Sequence, residues 1–294
     1  SGDIYLSKYK GWYSISDEAY YNEDEVIEKN GKKVSTFSGS IVDWVEEESF
    51  FFKLSAWQDK LIDFYNKNEK FIIPISRRNE VLKFVKSGLK DLSISRTSFT
   101  WGIKTPKNNK HVIYVWLDAL TNYLSALNFP NQNDNLYKNF WPASLHVIGK
   151  DILRFHAIYW PAFLLAAKIE PPKRVFSHGW ILSGDEKMSK SKGNILNPVE
   201  IINKYGIDQL RYYLMKEVSH GSDGSISLKS LENCINSDLA NNFGNLCQRV
   251  FSFVKNNCNK KVKKNNILTD QDKKLIKETN ILTKNLKHEM DNQN

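Results

Sequence analysis

Three short apolar runs in the middle of the chain place the strongest constraint on its fold. They occupy residues 111–117, 145–149 and 174–179. The first two are rich in β-branched residues and are each followed by a stretch with helix-like spacing, and the third completes a series of strand, helix and strand. Short runs of this kind are typical of strands that are buried on both faces of a parallel sheet. The alternation of strand and helix therefore predicts a doubly wound α/β sheet.

The regions on either side of these runs have other patterns. Residues 1–40 are rich in Tyr, Asp, Glu and Gly, and Asn30 with Gly31 predicts a tight hairpin turn in a small β-rich unit. Apolar residues at helical spacing predict two amphipathic helices within residues 41–90. Beyond Pro198 the pattern indicates helices, with a basic and Asn-rich stretch toward the end.

Length and composition limit the class of protein. A chain of 294 residues, 41% hydrophobic and 26% charged, is long enough for two or three packed units of a soluble globular protein. It has no apolar run of about eighteen residues, so we expect no membrane-spanning helix and no membrane partner. The formal net charge of +9 favours an anionic partner such as nucleic acid, although a compositional bias of the source would give the same excess of Lys.

The cysteines argue against a metal or disulfide framework. Cys234, Cys247 and Cys258 are odd in number and never have the Cys-x-x-Cys spacing of a zinc site. We therefore expect neither zinc nor disulfides, and a reducing compartment: the cytoplasm by default, or an organelle matrix. The chain opens with Ser1 rather than Met and has no leader pattern, so we expect further sequence upstream.

A Lys- and Ser-rich loop is the strongest chemical signal. Residues 187–191 read Lys-Met-Ser-Lys-Ser between Gly184 and Gly193, after the last predicted strand of the sheet. Glycines let the backbone move, so Lys187 and Lys190 could place their ammonium groups on a polyphosphate. Positive charge there would stabilise the transition state in which pyrophosphate leaves during adenylate formation. An ordinary solvated loop is the alternative, which the full five-residue match disfavours.

An aromatic segment follows the first apolar run, at the carboxyl edge where open α/β sheets bind ligands. It contains Tyr114, Trp116 and Tyr123. A thioether is polarisable and packs well against aromatic rings, and a Tyr hydroxyl can hydrogen-bond to sulfur, so this wall suits a methionine side chain. Core packing of the same rings is the alternative, and the segment alone does not decide between them.

The second apolar run turns through Gly149 into a helix. Asp151 falls near the start of that helix, where it could cap the helix or accept hydrogen bonds from a ribose. Ile152 and His156 are four residues apart, so they share one helix face and point toward the same pocket. A lone His is more often a satisfied structural residue than a ligand contact, and that interpretation of His156 stays open.

Together, these segments resemble the methionyl-tRNA synthetases. The five-residue loop looks like the KMSKS signature that several class I aminoacyl-tRNA synthetases share, and the other two segments are similar to this family's methionine and ATP site. The resemblance implies a methionine pocket lined by Trp116, Ala119, Leu120, Tyr123, Ile152 and His156. It implies a ribose at Gly149 and Asp151, adenine at the backbone near Ile181, and the ATP phosphates at Lys187 and Lys190.

The resemblance assigns two further roles. Arg96 joins Lys187 and Lys190 as a catalytic residue, because the matching arginine of the family pairs with an acidic residue near the ammonium group of the amino acid. That carboxylate is not in this chain, and an exposed structural salt bridge is the alternative for Arg96. Asn245 and Arg249 resemble the start of the anticodon-binding bundle and would offer amide and guanidinium groups to unstacked tRNA bases. A polar helix surface is the alternative for this pair.

The same resemblance implies the domain organisation. Residues 1–95 resemble a connective peptide without the cysteine-built zinc knuckle that many members carry. Residues 96–183 resemble the second half of a Rossmann-type, nucleotide-binding catalytic domain, and residues 184–230 the KMSKS loop with a segment that contacts the tRNA stem. Residues 231–294 resemble part of an α-helical anticodon-binding bundle.

The expected reaction is ATP-dependent activation of methionine to methionyl-AMP, with release of pyrophosphate, and transfer to tRNA(Met). We expect Mg2+ to accompany ATP and prefer a monomer, although the oligomeric state stays open. The His-Ile-Gly-His signature of the first half-sheet does not occur, so we expect these 294 residues alone not to form the adenylate.

A tRNA-binding fragment without ligase activity is the second hypothesis. A synthetase for Leu, Ile, Val or Cys is disfavoured, because no editing insertion and no zinc ligands are visible.

Overall fold

The computed structural model describes residues 2–17, 19–106, 108–184, 186–188, 196–262 and 267–293. Residue contacts divide the chain into two compact units. Unit one comprises Ser1–His146 and Asp151–Val175, and unit two comprises Val147–Lys150 and Phe176–Asn294. Each unit has a hydrophobic core of its own.

Unit one contains both strands and helices. Its strands are β1 (Ile4–Ser14), β2 (Ala19–Tyr21), β3 (Val26–Lys29), β4 (Lys32–Ser35), β5 (Asp43–Phe52), β6 (Ile72–Ile73), β7 (Leu92–Ser93), β8 (Ser95–Arg96), β9 (Lys104–Thr105) and β10 (Asn108–Ile113). Its α-helices are α1 (Gln58–Lys67), α2 (Ile75–Lys86), α3 (Val115–Ser125), α4 (Asn135–Phe140) and α5 (Trp160–Ala166). Short 3-10 helices span Glu23–Glu25 and Leu54–Trp57, and a π-helical turn spans Phe155–Tyr159.

Antiparallel pairing dominates the first part of unit one. A four-stranded sheet has the order β2-β1-β5-β7, and β1 pairs with β5 from Ile4 opposite Phe52 to Tyr13 opposite Asp43. In the β3–β4 hairpin, Asn30 and Gly31 form a two-residue turn with φ of 54° and 74°. Positive φ at both turn positions is what such a hairpin requires, so the turn prediction is confirmed.

Two of the three predicted apolar runs form strands where expected. They are β11 (His146–Gly149) and β12 (Val175–His178), which form a sheet in the order β11-β12-β6. The backbone N–H of Val175 donates to the carbonyl of Phe71 at 2.6 Å. Strands that alternate with helices give the chain the α/β character that the sequence predicts.

The prediction for the first apolar run, residues 111–117, is wrong in two respects. The strand β10 ends at Ile113 and pairs antiparallel with β8 and β9, whereas Val115 already begins α3. Apolar periodicity does not distinguish a buried strand from a buried helix over so few residues. Asp118 in the first turn favours the helix, because a carboxylate is stabilised by the helix dipole there.

The core of unit one joins α3 to α5. Its fully buried members are Leu120, Leu124, Trp141, Trp160, Leu164 and Ile169. Burial of each large apolar side chain stabilises the fold by roughly 1.5–3 kcal/mol. Because α3 and α5 share this core, side chains on the adjoining face of α3 are held in fixed positions.

Unit two is largely helical. Its strands are β13 (Ile181–Ser183), β14 (Glu186–Lys187) and β15 (Gly224–Ile226), in the order β14-β13-β15 with β13 parallel to β15. Its α-helices are α6 (Pro198–Tyr205), α7 (Ile207–Glu217), α8 (Leu228–Cys234), α9 (Asn245–Asn257) and α10 (Asp270–Asn292), and a π-helical segment spans Ile235–Gly244.

Local sequence explains the start of these helices. Asn197 accepts the backbone N–H of Val199 at 3.0 Å, and Pro198 occupies the first turn of α6, where a missing N–H has no cost. Ile201 is buried in the core of unit two, with Ile202 and Tyr205 packed against it. By contrast, Phe243, Leu246 and Phe251 are exposed. No helix in the described residues has the length and apolar character needed to cross a bilayer.

Candidate active site

Four of the predicted methionine contacts lie on one face of α3. Trp116, Ala119, Leu120 and Tyr123 have the i, i+3, i+4, i+7 spacing of a single helix face. Their exposures differ, because Ala119 is exposed whereas Leu120 is buried in the core of unit one. The structure brings these side chains to one face, and their contact with methionine stays a prediction.

Trp116 stacks on Phe155, a ring that the sequence analysis does not assign to the site. The two ring centroids are 3.7 Å apart and the planes differ by 13°. Phe155 directly precedes His156 and lies three residues after Ile152, so helical spacing from the predicted pocket residues could have identified it. The stack joins α3 to the segment after β11 and gives an aromatic surface of the kind that sulfur contacts favourably.

Tyr123 and His156 form the polar part of the same region. The Tyr123 hydroxyl lies 2.9 Å from Nε2 of His156, and Nδ1 of His156 lies 3.0 Å from the carbonyl of Ile152. A carbonyl oxygen only accepts, so Nδ1 carries the ring proton, and in the neutral ring Nε2 accepts from the Tyr123 hydroxyl. Burial lowers the pKa of His156, which keeps the ring neutral, although its bond to the Ile152 carbonyl opposes this shift. The predicted face shared by Ile152 and His156 is consistent with this contact.

His146 is a second buried histidine in this region, and the sequence analysis does not identify it. Its ring centroid lies 4.3 Å from that of Tyr123 and 6.0 Å from that of His156. Burial lowers the pKa of His146 to about 4, and the nearby His156 adds to the shift. The position of His146 within the apolar run at residues 145–149 could have indicated its burial, and burial favours the neutral ring. Around Tyr123 the pocket region is therefore aromatic and uncharged.

The predicted nucleotide contacts are divided between the two units. Gly149, the last residue of β11, and Ile181, the first residue of β13, belong to unit two. Ile181 is exposed and pairs with Gly224 of β15. Asp151 lies in a short 3-10 helix, belongs to unit one, and is exposed. None of these placements tests the predicted contacts with ribose and adenine.

Lys150 and Asp223 fix the backbone corner that leads into β13. The Lys150 ammonium lies 2.6 Å from a carboxylate oxygen of Asp223 and 4.2 Å from the ring centroid of Trp180. The other carboxylate oxygen of Asp223 accepts the backbone N–H of Trp180 at 2.9 Å. At Gly179, an added Cβ would lie 2.2 Å from the carbonyl carbon of Ser222, so only Gly permits this approach. The start of β13 is thereby tied to residues 222–224.

The predicted phosphate-binding loop is described only in part. Lys187 is the second residue of β14 and pairs with Leu182 of β13. The side chain of Lys187 lies outside the described part of the chain, and so do Lys190 and the rest of residues 189–195. The assignment of both lysines to the ATP phosphates stays a prediction.

Arg96 is buried, so the structural salt bridge considered as its alternative role is buried rather than exposed, and its partner is Glu47. Only 1% of the side chain is exposed, and Nε lies 4.0 Å from the Glu47 carboxylate. Nη1 donates to the hydroxyl of Ser93 at 2.9 Å and to the carbonyl of Ser95 at 2.7 Å. The physical reason for burial is that Arg96 belongs to β8, which pairs with β10, and that the rings of Tyr20 and Tyr114 cover its guanidinium group.

Asn245 and Arg249 lie one turn apart on α9 and are both exposed. The side-chain amide of Asn245 donates to the carbonyl of Asn241 at 2.6 Å, within its own helix. The structure therefore brings the pair to one accessible helix face, and the predicted contact with tRNA bases stays a prediction.

No cluster of three or more His, Cys, Asp or Glu side chains with metal-binding geometry occurs in the described residues. Cys234, Cys247 and Cys258 are free thiols.

Comparisons with known proteins agree on one family. The family model for tRNA synthetases class I (M) matches residues 1–251. The methionine–tRNA ligase of Brucella suis is 52% identical over 294 residues, which is the whole of this chain and 57% of the relative. The methionine–tRNA ligase of Rickettsia typhi is 57% identical over 262 residues, 89% of this chain and 51% of the relative.

Solved structures give the same result. A Mycobacterium tuberculosis methionyl-tRNA synthetase in complex with methionyl-adenylate is 49% identical, with a TM-score of 0.92, over 99% of this chain and 57% of that one. The apo form from the same organism has a TM-score of 0.89 at 46% identity, with the same coverage of both chains. The chain thus spans a little more than half the length of the relatives that it matches.

Proposed function

The chain belongs to the family of class I tRNA synthetases (M), and we propose from this premise that it forms the methionine- and ATP-binding part of a methionine–tRNA ligase. The proposed reaction activates methionine with ATP to methionyl-AMP, releases pyrophosphate, and then transfers the methionyl group to tRNA(Met). The observation that carries the proposal is the likeness, over nearly the whole chain, to a synthetase in complex with methionyl-adenylate.

We assign the methionine side chain to the region around α3. Trp116, Ala119, Leu120, Tyr123, Ile152 and His156 would line its pocket. The Trp116–Phe155 stack supports this assignment, because thioethers contact aromatic rings favourably. The neutral state of His156 supports it as well, since a charged ring would need a polar partner that an uncharged thioether does not supply.

The nucleotide is proposed to bind at Gly149, Asp151 and Ile181, with its phosphates at Lys187 and Lys190. A carboxylate oxygen of methionine attacks the α-phosphorus of ATP, the bond to the bridging oxygen breaks, and pyrophosphate leaves with the bonding electrons. The two lysines would neutralise the charge that develops on pyrophosphate. Mg2+ would arrive with the ATP phosphates as part of the substrate. In the second step, a hydroxyl of the terminal tRNA ribose attacks the methionyl carbonyl and AMP leaves.

Arg96 is proposed to act at the ammonium end of methionine, through a carboxylate that pairs with its guanidinium group. The support is that Nε and Nη2 have no hydrogen-bond acceptor within the described part of the chain, although both are buried. These two nitrogens form the edge of a guanidinium that matches a carboxylate with two parallel hydrogen bonds.

The finer architecture is also proposed. Residues 1–95 would be a zinc-free connective peptide, residues 96–183 the second half of a Rossmann-type parallel sheet, and residues 184–230 the KMSKS and stem-contact segment. Residues 231–294 would form part of an anticodon-binding bundle in which Asn245 and Arg249 contact tRNA(Met) bases. The exposed apolar side chains of α9 support this last assignment, because a bundle would cover them. We propose a monomer that works in the cytoplasm.

The proposal is tested by a chimaera in which this chain replaces the matching segment of the Brucella suis ligase. We expect methionine-dependent exchange of pyrophosphate into ATP. Lys190→Ala should slow exchange by about a hundredfold, since one preorganised charge is lost from the transition state. The methionine KM should change by less than about twofold, because that charge acts on phosphate.

Lys192→Ala is the matched control, because it removes a lysine of the same loop that is not assigned to the phosphates. We expect near-normal exchange from this variant. Equal exchange rates for the Lys190→Ala variant and the parent chimaera would remove the loop from the mechanism. A parent chimaera that binds tRNA(Met) but exchanges no pyrophosphate would favour a tRNA-binding protein without ligase activity.

A further inference from the structure

Arg96 combines deep burial with incomplete hydrogen bonding. Nη1 is fully used by the hydroxyl of Ser93 and the carbonyl of Ser95, whereas Nε and Nη2 find no acceptor within the described part of the chain. The rings of Tyr20 and Tyr114 lie 4.2 Å from the guanidinium carbon, so aromatic rings cover the group. One edge of the guanidinium is anchored, whereas the opposite edge makes no hydrogen bond within the described residues. The Glu47 carboxylate lies 4.0 Å from Nε, beyond hydrogen-bond distance, and accepts from Tyr20 and Thr97 instead.

Three buried serines hold the anchored edge. The hydroxyls of Ser93 and Ser49 are 2.6 Å apart, and the Ser49 hydroxyl donates to the carbonyl of Ser95 at 2.9 Å. This carbonyl is the second acceptor of Arg96 Nη1. The Ser49 proton has the Ser95 carbonyl at 2.9 Å and the Phe50 carbonyl at 3.1 Å as acceptors, so the Ser93 hydroxyl, which accepts from Arg96, donates to Ser49. The chain of bonds therefore fits one orientation of the guanidinium group.

His111 extends this arrangement to the protein surface. The Glu48 carboxylate only accepts, so Nε2 of His111 carries a proton and donates to it at 3.2 Å. In the neutral ring Nδ1 then accepts from the Ser95 hydroxyl, 3.0 Å away, whose oxygen also accepts the backbone N–H of Phe50 at 2.8 Å. His111 is fully buried, whereas the side chain of Glu48 is half exposed.

Burial of so many polar groups is costly unless each of them is paired. An unpaired buried hydroxyl or ring nitrogen destabilises the folded state, so the arrangement is stable only when every one of these groups has its partner. A complete network of this kind fixes one geometry more firmly than apolar packing does. A fixed geometry of this kind suits Arg96, because its Nε–Nη2 edge can pair with a carboxylate only in one orientation.

We propose that Ser49, Ser93, Ser95 and His111 are positioning residues, which orient Arg96 so that its Nε–Nη2 edge is presented to a carboxylate. The inference rests on the proposed function only for the identity of that carboxylate. Sequence patterns do not predict this role, because His111 lies at the start of an apolar run and the serines belong to three different strands, β5, β7 and β8.

The test uses the 294-residue chain labelled with 15N-arginine. Hindered rotation of the Arg96 guanidinium is measured by NMR, which requires no catalytic activity. Ser93→Ala should speed rotation roughly five- to tenfold, the factor that corresponds to one lost hydrogen bond. His111→Gln should act in the same direction, because its amide can reach Glu48 but leaves Ser95 without an acceptor.

Two further variants separate positioning from general damage. In His111→Asn the side-chain oxygen can take the place of Nδ1, so slow rotation should be largely restored. Ser87→Ala removes a serine whose hydroxyl bonds only to the Phe84 carbonyl of its own helix, and rotation should match the unmodified chain. Slow guanidinium rotation in His111→Asn would show that the hydrogen-bond acceptor at the Nδ1 position, rather than the size of the imidazole ring, holds Arg96 in place.

Unchanged rotation in both Ser93→Ala and a folded His111→Gln would overturn the proposal. If His111→Gln does not fold, the other two variants decide. Unchanged guanidinium rotation in Ser93→Ala would then overturn the proposal, and so would fast rotation in a folded His111→Asn variant. The ligase proposal fails by a different result, a chimaera that does not exchange pyrophosphate into ATP. That result would not bear on the proposal that the network orients Arg96.

Discussion

At the scale of single residues, the hydrogen bond between Tyr123 and His156 sets the polarity of the proposed methionine pocket. Because Nδ1 of His156 donates to Ile152, the Tyr123 proton points to Nε2 of His156. The Tyr123 hydroxyl oxygen can then only accept a hydrogen bond from a ligand, because its own proton is already donated to His156. Burial of His146 and His156 keeps positive charge away from this region, as an uncharged side chain requires.

The buried His146 predicts a specific dependence of stability on pH. Its pKa is lowered to about 4 in the folded state, below the value of about 6.5 in the unfolded chain. Between these values only the unfolded state binds the proton, so stability decreases as pH falls below about 6.5. We expect this group alone to lower the free energy of unfolding by about 2 kcal/mol between pH 7 and pH 5.

Urea unfolding at both pH values measures this contribution. His146→Gln should reduce the loss of stability between pH 7 and pH 5, since Gln does not titrate. His288→Gln, at an exposed position on α10, should preserve the loss seen in the unmodified chain. Parallel pH profiles for His146→Gln and the unmodified chain would show that His146 is not a neutral buried group.

Residue-level prediction from sequence succeeds where spacing alone defines a face. The seven-residue spacing of Trp116 and Tyr123 places both on one face of α3. The common face of Ile152 and His156 stays a prediction, because Ile152 ends a 3-10 helix and His156 lies in a π-helical turn. The positions of Phe155 and His146 follow from local patterns, but their contacts with Trp116 and Tyr123 depend on packing between segments that are distant in sequence. The expected exposure of Arg96 is wrong for the same reason, since the residues that cover it, Tyr20 and Tyr114, lie on other elements.

At the scale of secondary structure elements, the corner before β13 links the proposed adenine contact to the rest of unit two. Asp223 holds this corner through the Trp180 backbone and the Lys150 ammonium. Asp223→Ala should raise the hydrogen-exchange rate of the Trp180 amide about tenfold, because its acceptor is lost.

Exchange measured by NMR or mass spectrometry tests this expectation. Asp208→Ala, an exposed aspartate in the first turn of α7, is the matched control and should leave the Trp180 amide protected. Equal protection of Trp180 in the Asp223→Ala variant and the unmodified chain would show that other contacts hold the corner.

The elements differ in how well the sequence predicts them, for physical reasons. The helices α1, α2 and α6 follow from their apolar spacing, and the β3–β4 turn follows from Asn30 and Gly31. The run at residues 111–117 predicts a single strand because β-branched and aromatic residues favour strands, whereas the chain divides it between β10 and α3. Periodicity cannot locate such a boundary, since the run is shorter than two helical turns.

At the scale of the whole molecule, family membership and local geometry support the same chemistry. The pocket side chains of unit one are described in full, whereas the lysines of the loop are not. The proposed methionine pocket is therefore the most direct place for a test, at the Trp116–Phe155 stack and the neighbouring Tyr123–His156 hydrogen bond. Prediction of the family from sequence succeeds because the loop and the two pocket segments are specific as a set, although each is ambiguous by itself.

The most direct test is a titration of the 294-residue chain with methionine labelled with 13C in its methyl group. Ring currents from Trp116 and Phe155 should move the methyl signal upfield in a saturable manner, because the methyl group would lie against an aromatic face. Trp116→Ala should abolish that shift and weaken methionine binding by at least about tenfold. The control is Trp101→Ala, at a position that is 90% exposed, which should change neither the methyl shift nor the affinity. An unshifted methyl signal, or the same shift and affinity in Trp116→Ala, would contradict the account.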